Sequence, residues 1–132
     1  MDYQYKIDFK VRDYECDLQG VVNNGVYQNY LEHARHEYLL DAGIDFAQLT
    51  RDNINLMVIR AELDYRFPLT SGDKFWIGIN TEQASKVRFS FLQDIYRSAD
   101  DKLIMNANIT GTSVNERGRP FLPDVIKQLF SR

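Results

Sequence analysis

With 132 residues, 44% of them hydrophobic and 27% charged, the chain has the composition of a globular protein long enough to bury a core. A net charge of −3 argues against bulk nucleic-acid binding, because domains with that role usually run strongly basic. No stretch approaches the ~20 apolar residues of a membrane helix, the charged N-terminus has no apolar leader, and one cysteine, Cys16, leaves no internal disulfide. These features predict a single domain over residues 1–132, cytoplasmic, with neither membrane nor nucleic-acid partners.

Residues 3–11 alternate Tyr3, Tyr5, Ile7, Phe9 and Val11 against Gln4, Lys6, Asp8 and Lys10. A period of two with one polar face predicts a half-buried strand, fading over residues 14–17. Gly20 permits a sharp turn, and either Asn23 or Asn24 can cap the helix that follows. Tyr27, Tyr30, Leu31, Ala34 and Tyr38 recur at helical spacing, and Gly43 is a good stop. A helix of about 20 residues and roughly 30 Å is expected, long enough to cross a sheet. A short helical turn is expected over residues 45–52.

The second strand, residues 56–67, alternates Met57, Ile59, Ala61, Leu63, Tyr65 and Phe67 against Val58, Arg60, Glu62, Asp64 and Arg66. Phe75, Ile77 and Ile79 mark a third strand, Val87, Phe89, Phe91 and Ile95 a fourth, and Leu103, Met105, Ala107 and Ile109 a fifth. Pro123-Asp124 begins a short C-terminal helix through Phe130. Tight turns between the last four strands favour an antiparallel sheet, and one apolar helix stripe needs one apolar sheet face. The expected class is α+β in two layers, β-α-β-β-β-β, with a five-stranded sheet curled around the long helix.

Asp17 has two readings. It is a loop aspartate bonding nearby amides, or a carboxylate beside a helix N-terminus, where unpaired N–H groups can hold a developing oxyanion. Cys16 lacks an identifiable base and reads as a small buried residue. His33 and His36 pair at i,i+4 with Glu37 and Glu32, as on a solvated helix face, and no metal motif accompanies them. No metal or cofactor is expected. Nucleophile-elbow, phosphate-loop and dinucleotide motifs are missing from the sequence. Lys86, Arg88, Arg97 and Arg119 are solvated charges or phosphate contacts, and spacing does not choose between them.

The stretch V-R-D-Y-E-C-D-L-Q-G-V-V-N-N-G-V-Y at residues 11–27 resembles the hot-dog-fold acyl-CoA thioesterases, closest to the 4-hydroxybenzoyl-CoA thioesterase-like family. Glu32, Ala34, Arg35 and Glu37 resemble that family's helix continuation, and Pro68, Leu69, Gly72, Asp73, Gly118, Arg119, Pro120 and Pro123 its later turns. The resemblance implies strand order 1-3-4-5-2 and a homodimer or homotetramer with sites at subunit boundaries. It also implies an acyl-CoA substrate, with coenzyme A part of that substrate. Asp17 would be the nucleophile or general base and the Asn24 backbone N–H the oxyanion donor. Gly20, Val22, Asn23, Tyr27, Tyr30 and Leu31 would contact the substrate. Val21 departs from relatives that carry His there, and Asn23-Asn24 from relatives that carry Tyr-His. An acyl-carrier-protein thioesterase and a non-catalytic acyl-CoA binding module are the alternatives.

Overall fold

The computed structural model describes residues 2–132. Strand β1 (Tyr5–Lys10) leads through a short 3-10 turn (Asp13–Glu15) to helix α1 (Asn24–Asp41). A second, short helix α2 (Phe46–Arg51) precedes β2 (Asn55–Tyr65), β3 (Lys74–Gln83), β4 (Arg88–Arg97) and β5 (Lys102–Val114). A two-residue strand β6 (Pro120–Phe121), helix α3 (Asp124–Lys127) and a 3-10 turn (Gln128–Ser131) finish the chain.

The strands form one antiparallel sheet in the expected order β1-β3-β4-β5-β2. Five strands were expected, and among the described residues there are six, because β6 pairs with the end of β5. The turn at Asn115 folds the chain back on itself: Gly118 N–H donates to the Asn115 carbonyl at 2.9 Å, with Gly118 at a φ of +73°. Helix α1 has 18 residues, or about 27 Å, close to the expected length.

The helix stripe is buried as its spacing implies: Tyr27, Tyr30, Leu31, Ala34 and Tyr38 all lie in the core. Tyr38 stacks on Tyr5 of β1 at 5.3 Å, and Tyr30 meets Phe75 of β3 at 4.8 Å. On β4, Phe89, Phe91 and Ile95 face the same interior, and so does Gln93, which is fully buried. A buried amide must be bonded. Gln93 Nε2 donates to the Leu31 carbonyl at 3.0 Å, and its Oε1 accepts from Arg35 Nη1 at 3.0 Å. This polar strut ties the middle of α1 to β4, beneath otherwise apolar packing. Burial draws the Arg35 guanidinium pKa below its ordinary value.

Strand β2 departs from the expected alternation. Its pairing with β5 slips between Val58 and Arg60. One extra residue inverts which side chains face inward. Leu56 and Leu63 therefore pack toward the core, while Met57, Val58 and Ile59 are 43%, 52% and 43% exposed. Tyr65 and Phe67, expected on the apolar face, are exposed too. Because β2 ends the strand order, its outer edge is unpaired among the described residues.

The Gln93 strut yields a stability prediction. Gln93→Ala strands Arg35 and opens a cavity, and should cost about 3 kcal/mol. Urea unfolding should show a lower midpoint at unchanged slope, and an unmoved midpoint would remove the strut from the account.

Candidate active site

The site begins where β1 gives way to α1. After the 3-10 turn, Cys16 and Val22 form an isolated antiparallel bridge, and Asp17 N–H donates to the Val21 carbonyl at 2.9 Å. Between these arms the chain reverses tightly. Gly20 N–H donates to the Asp17 carbonyl at 3.0 Å, with Gly20 at a φ of +81°, a conformation that suits glycine. Asp17 is exposed, and its Oδ1 accepts from the Gln19 N–H at 2.8 Å. The second carboxylate oxygen has no hydrogen-bond partner among the described residues.

Three clamps hold this reversal against the helix. Asn23 N–H donates to the Glu15 carbonyl at 3.0 Å, and Val22 N–H to the Leu69 carbonyl at 2.9 Å. The Glu15 carboxylate accepts from the Arg12 N–H at 2.7 Å and from the Tyr30 hydroxyl at 2.8 Å. Burial, reinforced by that bond, raises the Tyr30 phenol pKa well above its ordinary value, so the hydroxyl stays a donor. The Tyr27 hydroxyl accepts from the Leu69 N–H at 3.0 Å, so one residue, Leu69, holds both Val22 and Tyr27.

Asn23, not Asn24, caps α1. Its Oδ1 accepts from the Gly25 N–H at 3.0 Å and its carbonyl from the Val26 N–H at 2.9 Å. Asn24 is the first helical residue, and its N–H finds no acceptor among the described residues. Its carbonyl accepts from the Tyr65 hydroxyl at 3.2 Å, which anchors the C-terminal end of β2 on the helix start. The geometry thus gathers an exposed carboxylate and an open helix N-terminal amide onto one short, clamped reversal. Such an amide can receive a developing oxyanion, and such a carboxylate can attack a carbonyl or activate water.

Other predicted residues fall elsewhere. Tyr27, Tyr30 and Leu31 are buried in the chain's own core, with the two tyrosine hydroxyls engaged as described. Gly20 and Asn23 are exposed beside Asp17, while Val22 is buried beneath them. Cys16 is half-buried; burial, with the charges of Asp13 and Asp17, pushes its thiol pKa up and keeps it protonated. His33 approaches Glu37 at 3.9 Å, and the His36 ring packs against Phe46 at 5.6 Å. No group of three or more His, Cys, Asp or Glu side chains among the described residues is arranged to hold a metal ion. Nor is any described helix long and apolar enough to cross a membrane.

A groove missed by spacing opens further along α1. It has a volume of about 480 Å³ and lies between α1, α2 and the first residues of β2. Glu32, Arg35 and Leu39 of the helix form one wall, Leu56, Met57 and Val58 the other, and Phe89, Phe91 and Gly111 the floor. Glu32 stands eight residues past Asn24, roughly 12 Å along the helix. The groove joins residues from six separate elements, so no local motif announces it.

Comparison with known proteins identifies the family and the fold. Residues 11–130 match the family model described as the thioesterase-like superfamily. An acyl-acyl carrier protein thioesterase of Arabidopsis thaliana, ATL3, is 34% identical over 127 residues, covering 96% of this chain and 67% of that protein. The long-chain acyl-CoA thioesterase FadM of Escherichia coli is 30% identical over 101 residues, 76% of each. A 1,4-dihydroxy-2-naphthoyl-CoA thioesterase from Synechocystis superposes with a TM-score of 0.88 over 96% of this chain and 95% of that one. At 19% identity that likeness speaks for the fold, which is the hot-dog arrangement. The chain belongs to the thioesterase-like superfamily.

Proposed function

We propose that this chain hydrolyses the thioester of a small or medium acyl-CoA, releasing free acid and coenzyme A. The observation that carries the reading is the open Asn24 N–H beside the Asp17 turn, in a member of a thioesterase family. The thioester carbonyl oxygen accepts from the Asn24 N–H, and negative charge grows there as the carbonyl carbon is attacked. Asp17 either attacks directly, giving an acyl-enzyme anhydride that water then opens, or takes a proton from an attacking water. The departing thiolate needs little help, since a thiol pKa is about 8.5. One oxyanion donor contributes on the order of 3 kcal/mol to the barrier.

Within that reading, Gly20 and Asn23 border the thioester. Val22, Tyr27, Tyr30 and Leu31 support the turn and helix from beneath, where the sequence had suggested direct substrate contact. The acyl group occupies the groove, whose volume falls within the ~300–1,000 Å³ common for small-molecule sites. The carrier has a second candidate, acyl-carrier protein, favoured by the 34% identity to two Arabidopsis acyl-carrier-protein thioesterases. Rates on matched acyl-CoA and acyl-carrier-protein substrates separate the two.

The working unit in this reading is a homodimer, or a tetramer built from it, formed edge to edge along β2. That strand is long, unpaired on its outer side and apolar at Met57, Val58 and Ile59, an unusual edge to leave in water. Its two ends have different roles. The Tyr65 end touches Asn24, and the Asn55–Val58 end lines the groove. Antiparallel pairing of two copies about the strand middle brings the groove end of one to the Asn24 end of the other. Each site then combines Asp17 and Asn24 of one chain with the groove of its partner.

Asp17→Asn keeps the Gln19 cap and should leave the melting temperature within a few degrees, yet lower kcat by about 10³-fold or more in a thiol-release assay. Full turnover in that variant would sink the mechanism. Acyl-CoA bound tightly by the unaltered protein, with no thiol released from any acyl-CoA tested, would instead mark a non-catalytic binding module. Ile59→Lys, charging the exposed edge, should convert a dimer to monomer in light scattering at micromolar concentration; an unaltered protein already monomeric there would contradict the edge pairing.

A further inference from the structure

The groove floor has an unusual contact. Phe89 of β4 and Gly111 of β5 are directly paired across the sheet. A Cβ added to Gly111 would stand 2.7 Å from Phe89 Cε2, 2.8 Å from Cζ and 3.0 Å from the Met57 carbonyl oxygen. Carbon atoms pack at about 3.5–4.0 Å, so the ring fills the space over bare backbone where other residues carry a side chain. Phe91 meets it edge to face at 5.7 Å and 85°, closing the space beside it. Both rings are buried and both line the groove.

Position 111 therefore sets the height of the floor. Any side chain there must displace the Phe89 ring by about 1 Å, and with backbone on one side and Phe91 beside it, the open space that the ring borders is the groove. Removal of the ring does the opposite and deepens the groove. The surface presented upward is aromatic carbon, suited to the methylenes of an apolar chain and offering no hydrogen bond to a polar one.

We propose that Phe89, seated on Gly111, is the floor that determines how long an apolar acyl chain the groove accepts. This rests on the acyl-group reading of the groove given above. It names two residues remote in sequence from Asp17 and Asn24, so chain selection and chemistry are separable.

The test uses the full chain, straight-chain saturated acyl-CoAs from butanoyl to palmitoyl, and their non-hydrolysable thioether analogues. Gly111→Ala should lower the ratio of long-chain to short-chain kcat/KM by about ten-fold, and Phe89→Ala should raise it, since a methylene in an apolar pocket is worth about that much. Thioether affinities should move the same way. The two opposed variants guard against misfolding, and thermal melts check that each is folded. A chain-length profile unchanged in both folded variants, or changed in the same direction in both, overturns the floor. If the unaltered protein binds thioethers in a chain-dependent way but releases no thiol, the catalytic reading fails and the affinities still decide the floor. If no analogue binds with any chain dependence, the floor is overturned as well.

Discussion

A helix begins with N–H groups that its own carbonyls cannot satisfy, and α1 satisfies its first few unevenly. The Asn23 side chain takes the Gly25 amide and the Asn23 carbonyl takes that of Val26, which leaves the Asn24 amide open. An open amide in a mobile loop would be an ordinary solvated donor. Here it is fixed, because Glu15, Leu69 and Tyr65 hold the residues around it through bonds of 2.9–3.2 Å. The Asp17 backbone is fixed by the same reversal, through its pairing with Val21 and Gly20, and its carboxylate accepts from the Gln19 amide. Catalysis of this type depends on donors that need not reorganise when charge develops, and those clamps provide such a frame.

The remainder of the fold gives that frame something to stand on. The family resemblance implies that Tyr27 and Tyr30 contact substrate. Their hydroxyls instead bond the Leu69 amide and Glu15, and their rings fill the space between helix and sheet. Gln93 and Arg35 do the same work at mid-helix through polar bonds. The apolar side chains that remain free for a ligand are those of the groove, assembled where α1 diverges from β2. In the proposed reading the functional surface is divided: chemistry at the helix start, apolar recognition farther along it, and β2 spanning both.

Much of this architecture was legible in the sequence. Period-two alternation gave β1, β3 and β5, period 3.6 gave the buried face of α1, and the D-x-x-G-V-V-N-N stretch gave the turn and helix start. Three features were not. The bulge in β2 hides in Leu56-Met57-Val58-Ile59, an apolar run in which either register looks acceptable. Gln93 occupies the inward register of Phe89, Phe91 and Ile95, a signal that was present and that only a partner on α1 explains. The groove brings together residues as distant as Glu32 and Gly111, so only tertiary packing reveals it.

In the proposed dimer, Asp17 of one chain works on an acyl group held in the groove of its partner. Mixing two variants tests it directly: Asp17→Asn, and Thr50→Trp, which fills the groove from its exposed rim. Each alone should be inactive on a medium-chain acyl-CoA. After subunit exchange, half the dimers are mixed, and each mixed dimer holds one site with both parts intact. Activity should then recover to about a quarter of the unaltered level. Mixed dimers confirmed by mass spectrometry that remain inactive would contradict the account, because each chain would then be serving its own groove.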